Sequence, residues 1–98
     1  MIARTENARR AEGQVMLAHP VGLHARPAIK LTKLAKSFPA TVRLRADPDA
    51  PWTDAKSIVK VMGLKVPQGA VLYFEAEGAE AKAAIAALVA LVERDFEG

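Results

Sequence analysis

The sequence predicts an α+β domain, with helices covering one face of a largely antiparallel sheet. Three observations carry that reading. Thr41-Val42-Arg43-Leu44-Arg45 alternates apolar with polar residues, and Ala70 to Ala76 is rich in strand-forming side chains. Apolar residues recur at helical spacing from Pro27 to about Phe38, and again in an alanine-rich stretch after Gly78. With 98 residues, no internal repeat and no cysteine, the chain has material for one core and no disulfide framework.

Taken in order, residues 1–12 are polar and rich in alanine and arginine, and read as a flexible extension before a domain spanning 13–98. Gln14 to Ala18 forms a first strand, stopped by Pro20 and the Gly22 turn. The first helix buries Ala28, Leu31, Leu34, Ala35 and Phe38, while Arg26, Lys30 and Lys33, with Lys36 beyond them, follow a separate stripe. Ser37-Phe38-Pro39 ends it. In the strand from Thr41 to Arg45, Val42 and Leu44 should point inward and the arginines to solvent. Asp47 to Pro51 is a turn, and Trp52-Thr53-Asp54 a short strand. Lys56 to Met62 fits a brief helix ended by Gly63, although its β-branched content also fits a strand. Val66-Pro67-Gln68-Gly69 turns the chain into the last strand, and the last helix buries Ile85, Leu88, Val89, Val92 and Phe96.

The segment Gly22-Leu23-His24-Ala25-Arg26-Pro27 carries the chemistry. Proline lacks an N–H and has a helical φ, so Pro27 suits the first turn of a helix, with Arg26 before it as the expected cap. His24 then stands just outside a helix N-terminus, where unpaired N–H groups and the positive dipole end favour an anion over an imidazolium. A ring with a free lone pair, backbone donors at Ala25 and its neighbours, and a guanidinium able to clamp phosphate oxygens make a phosphorylatable histidine with its phosphate site already built. Local physics alone leaves an ordinary strand-to-helix turn with a surface histidine standing beside that reading. His19 precedes Pro20, has no arginine neighbour and starts no helical pattern, so it reads as a strand-end or loop residue.

The formal charge is +3, with a single tryptophan and a single tyrosine. That is too sparse for the interleaved basic and stacking residues of a nucleic-acid surface, and fits an acidic protein partner or a phosphorylated ligand. Salt-sensitive nucleic-acid binding remains a third, weaker alternative that rests on basicity alone. The two histidines lack the spacing of a metal pair, and no apolar run is long enough for a signal peptide or a membrane span. With no cysteine, the expected location is the cytoplasm.

Gly22-Leu23-His24-Ala25-Arg26-Pro27-Ala28, followed some way on by Ala55-Lys56-Ser57-Ile58, makes a specific combination. Gln68-Gly69 and Glu75-Ala76-Glu77-Gly78 add to it. On these residues the chain resembles HPr, the histidine-containing phosphocarrier family of the bacterial phosphoenolpyruvate-dependent phosphotransferase system, over approximately residues 13–94. The resemblance implies an open-faced β-sandwich, a four-stranded antiparallel sheet with three helices on one face. It implies a stoichiometric phosphoryl carrier rather than a true enzyme, needing no metal or cofactor. His24 would accept the phosphoryl group on Nδ1 from phosphorylated enzyme I and pass it to an enzyme IIA protein or domain. Arg26 would stabilise the phosphate with Ala25 and Pro27 beside it, and Ser57 corresponds to a serine phosphorylated in some bacteria by HPr kinase/phosphorylase.

Sugar uptake is one role of such carriers, and the nitrogen, fructose and dihydroxyacetone branches are others. Lys30, Lys33, Ile58, Val59, Met62 and Gly63 are the expected docking surface, with Val66 beside it and about half of the apolar members, Val61 among them, expected in the core. Ser57 is also in place to cap the short helix, a purely structural role that coexists with phosphorylation. A regulatory binding module controlled through Ser57 is the principal alternative to the carrier. Val21, Gly63, the long Asp47-to-Pro51 turn and the N-terminal extension depart from the family pattern.

Overall fold

A computed structural model describes residues 9–20 and 22–97. Its elements are β1 (Arg10–Met16), α1 (Ala25–Lys36), β2 (Thr41–Arg45), β3 (Thr53–Asp54), α2 (Ile58–Gly63), β4 (Val71–Glu77) and α3 (Ala81–Glu93). The strands form one sheet in the order β1-β4-β2-β3, and every neighbouring pair is antiparallel. The open sheet with three helices is the architecture expected from the sequence.

The two faces of the sheet follow from the period of two. Ala11, Val42, Leu44, Leu72, Phe74 and Ala76 point into the core, where they meet Leu31, Ala35, Val61, Ile85, Leu88 and Val92 from the helices. Gly13 pairs with Phe74 on this inner face. A Cβ there would lie 2.8 Å from Ile85 Cγ2 and 3.2 Å from Val89 Cγ2, so the missing side chain lets α3 close onto β1. Gly13→Val is therefore expected to destabilise the protein by roughly 1–3 kcal/mol through overpacking. Urea unfolding checks this, with a lower midpoint at unchanged slope as the expected result.

The outer face is polar and internally paired. Glu75, at 8% side-chain exposure, accepts from Arg10 and from Arg43 at 2.8 Å each. The hydrogen bond to Glu12 and the charge of Glu75 hold the Arg10 guanidinium above its ordinary value. Arg45 lies over the Trp52 ring at 4.0 Å and donates to the Ala50 carbonyl. The expectation that Arg43 and Arg45 simply face solvent is thus corrected: cross-strand carboxylates and an aromatic ring partly cover them.

Several boundaries differ from those expected. The first strand begins at Arg10 rather than Gln14, because Arg10, Ala11 and Glu12 pair in register with Glu77, Ala76 and Glu75. The remainder of the proposed extension, residues 1–8, lies outside the described residues. The segment beginning near Lys56 is helical despite its β-branched residues, since Ser57 supplies a cap and Val61 drops into the core. In α3 Leu91 is buried and Val89 only half-buried. Phe96 is buried, but beyond the helix, on a segment that has already turned back.

Candidate phosphoryl-acceptor site

Leu23 and His24 are adjacent, and their contrast builds the site. Leu23 is buried and its N–H donates to the Val66 carbonyl at 2.9 Å, which anchors the chain immediately before the helix. His24, next along, is exposed. Gly22 makes the approach possible at φ +72°, with its N–H on the His19 carbonyl at 2.9 Å. Val66 was expected beside a docking patch; it is buried, and its carbonyl instead fixes this loop. Val21, noted as a departure from the family pattern, lies outside the described residues.

His24, rather than Arg26, is the N-cap of α1, with extended backbone at φ −103° and ψ −161°. Its carbonyl accepts from Ala28 N at 2.9 Å, and its side chain caps nothing. Pro27 therefore sits in the first turn as its third residue, where the absent N–H still costs no helical bond. Ala25 and Arg26 are the first two helical residues, whose N–H groups face the N-terminal end. The ring of His24 is thus outside the helix and not consumed by it. Arg26 is exposed, and among the described residues no side chain pairs with it.

A cleft of about 270 Å³ opens beside them, lined by His19, Arg26 and Lys30 with Asp95, Phe96 and Glu97 from the chain after α3. Asp95 and Phe96 both take left-handed backbone, at φ 54° and 62°, which folds this segment back. Phe96 N donates to the Leu91 carbonyl at 2.8 Å, and Lys30 Nζ donates to the Phe96 carbonyl at 2.7 Å. Lys30, expected to contact a partner, is therefore tied to the segment after α3. Lys33 and Lys36 are exposed in the last turn of α1.

His19, expected as a strand-end or loop residue, lies close to His24. Its ring lies 5.7 Å from that of His24, tilted by 54°, and meets Phe96 edge-on at 6.0 Å. The available signal was that both histidines of the chain lie within six positions across a glycine turn. Whether such a loop doubles back is decided by tertiary hydrogen bonds that no local pattern contains.

The second element named from the sequence lies beside α1, against which α2 packs. Ser57 caps α2, its hydroxyl accepting from Lys60 N at 3.3 Å. Lys56 Nζ donates to the Phe38 carbonyl at 2.8 Å, tying the end of α1 to the start of α2. The apolar residues of α2 divide as expected. Val61 is fully buried and Ile58 half-buried, whereas Val59 is 78% and Met62 41% exposed. Gly63 is exposed, with open space where a Cβ would stand.

The chain is similar to known proteins over most of its length. Residues 11–94 match the family model described as the PTS HPr component phosphorylation site. The phosphocarrier protein NPr of Proteus mirabilis is 37% identical over 84 residues, covering 86% of this chain and 92% of that protein. The phosphocarrier protein HPr of Vibrio cholerae is 37% identical over 83 residues, covering 85% and 95%. Among solved structures, HPr-C-His from Thermoanaerobacter tengcongensis superposes with a TM-score of 0.81 at 37% identity, covering 88% of this chain and 94% of the other.

Proposed function

The chain belongs to the HPr family, and from that premise we propose that it carries a phosphoryl group on His24, taken from phosphorylated enzyme I and given to an enzyme IIA protein or domain. The observation that carries the reading is that an exposed, non-capping His24 ring and an Arg26 with no side-chain partner among the described residues stand together at the N-terminus of α1. In the forward step the lone pair of the ring nitrogen attacks phosphorus in line with the P–N bond of the donor phosphohistidine. That bond breaks and its electron pair returns to the donor ring, so one P–N bond replaces another. The transition state is loose, and positioning and charge stabilisation do most of the work. Arg26 and the first-turn N–H groups supply fixed donors for the phosphoryl oxygens. Delivery to enzyme IIA is the same exchange in reverse.

The exposed Val59 and Met62, with Gly63 and half-buried Ile58, form an apolar patch for these partners, and Lys33 lies on the neighbouring helix. Named relatives divide between NPr and HPr at similar identity, so the proposal is for phosphoryl carriage itself, without assigning carbohydrate uptake or another branch. Crh, the catabolite repression HPr of Bacillus subtilis, is also a structural relative, at 32% identity with a TM-score of 0.62. A regulatory use of Ser57, through HPr kinase/phosphorylase, is the second reading. No helix among the described residues is long and apolar enough to cross a membrane.

The test is intact-mass spectrometry after incubation with enzyme I, Mg²⁺ and phosphoenolpyruvate. A single acid-labile phosphate supports the carrier. No phosphate, with an enzyme I active on another HPr, overturns it. Ser57 gives a separate prediction. Ser57→Ala should cost about 1 kcal/mol by removing the α2 cap, seen in thermal unfolding. Ser57→Asp should keep the cap and slow phosphoryl transfer from enzyme I, because negative charge then borders the docking patch; unchanged kinetics would remove Ser57 from the regulatory account.

A further inference from the structure

We propose that His19 is a second imidazole of the phosphoryl site, donating a ring N–H to a phosphoryl oxygen carried by His24; the proposal rests on the carrier reading above. Three features place it there. The His19 carbonyl holds Gly22 N at 2.9 Å, so the backbones of the two histidines are fixed relative to one another. The His19 ring is flanked by Phe96 at 6.0 Å and by His24 at 5.7 Å. Phe96 is itself buried and held through its N–H on Leu91 and its carbonyl on Lys30. His19 and Arg26 also line the same cleft.

The reach is suitable. A phosphoryl oxygen stands roughly 3 Å from the ring nitrogen that bears the group, and an N–H···O bond spans about 2.9 Å. A donor ring centred 5.7 Å away is within reach of such an oxygen. The charges of the cleft explain why a directional donor matters. Asp95 and Glu97 share it with Arg26 and Lys30, and Lys30 is engaged by the Phe96 carbonyl. Carboxylates beside a phosphoryl dianion oppose it, so a coulombic hold is weakened and oriented hydrogen bonds carry more of the binding. Arg26 and His19 would then grip different oxygens of one group.

The test uses the full chain with His19→Phe, which keeps a ring against Phe96 but has no N–H, and His19→Gln, which keeps a donor. Phosphoramidate first phosphorylates wild type without a partner. Catalytic enzyme I then equilibrates the phosphoryl group between wild type and each variant in one tube, and intact mass reads the distribution. Wild type should hold the group about 5-fold in excess over His19→Phe, and within about 2-fold of His19→Gln if the donor is what matters. In ¹⁵N-resolved NMR of wild type, phosphorylation should shift the His19 ring nitrogens and slow exchange of its ring proton. An even distribution with His19→Phe, or His19 ring signals unmoved by phosphorylation, overturns the proposal while leaving the carrier intact. A wild type that accepts no phosphate overturns both.

Discussion

His24→Ala is expected to abolish phosphoryl acceptance while leaving Tm within ~2 °C of wild type. The loss is complete because no other group described at the site offers an imidazole lone pair at the N-terminus of α1. His19 stands as a donor to the oxygens, on a different loop position. The fold is untouched because the ring is exposed and makes no capping hydrogen bond, and the His24 carbonyl that accepts from Ala28 survives the substitution. Intact mass after enzyme I and phosphoenolpyruvate, with a thermal melt on the same sample, reads both halves. Normal phosphorylation of the variant would place the acceptor elsewhere. A collapsed melt would mean that the loop depends on the ring.

Gly22→Ala should be the most damaging single change near the site for the fold itself. The position has φ +72°, a region in which an alanine is strained by roughly 1 kcal/mol. Space is the larger difficulty. A Cβ at Gly22 would run into the Val66 carbonyl oxygen, the same atom that accepts from Leu23, and would meet Pro67 Cα at 3.1 Å. These are backbone atoms that cannot swing aside like a side-chain tip, so the two loops must separate and Leu23 must lose its anchor. A destabilisation of about 3–5 kcal/mol follows from combining strain, a broken buried hydrogen bond and lost packing. Chemical denaturation measures it. Wild-type stability in Gly22→Ala would show that the loop crossing is slack. Phosphoryl acceptance should also fall in the folded fraction, since Gly22 and Leu23 aim His24.

What the sequence made legible follows from the range over which each signal acts. The strand from Thr41 to Arg45 was found at its true bounds because alternation there is complete and a proline precedes it. His24 and Arg26 could be singled out because glycine, histidine, arginine and proline each constrain the same few residues. The cap was misplaced from His24 to Arg26 because the residue before a proline is disfavoured in a helix but not forbidden. Arg10 to Glu12 looked like tail because their partners, Glu75 to Glu77, lie far along the chain, and a charged strand on an open face has little apolar pattern. The approach of His19 and of Asp95 to Glu97 was invisible for a related reason. It depends on left-handed backbone at Asp95 and Phe96 and on Lys30 reaching a carbonyl 66 positions away.

The pairing of charges across the open sheet has a kinetic consequence. Arg10 and Arg43 are matched there by Glu12, Glu75 and Glu77, so that face has little field of its own. The two helices α1 and α2 are different: Ala25–Lys36 and Ile58–Gly63 contain Arg26, Lys30, Lys33, Lys36 and Lys60 and no carboxylate. A molecule with only +3 overall is thus polarised, and an acidic surface diffusing towards it is turned to face α1 and α2 before contact, although Asp95 and Glu97 offset part of that field beside Arg26 and Lys30. Association with such a partner should quicken as ionic strength falls while dissociation changes little, the mark of encounter guided from beyond contact range.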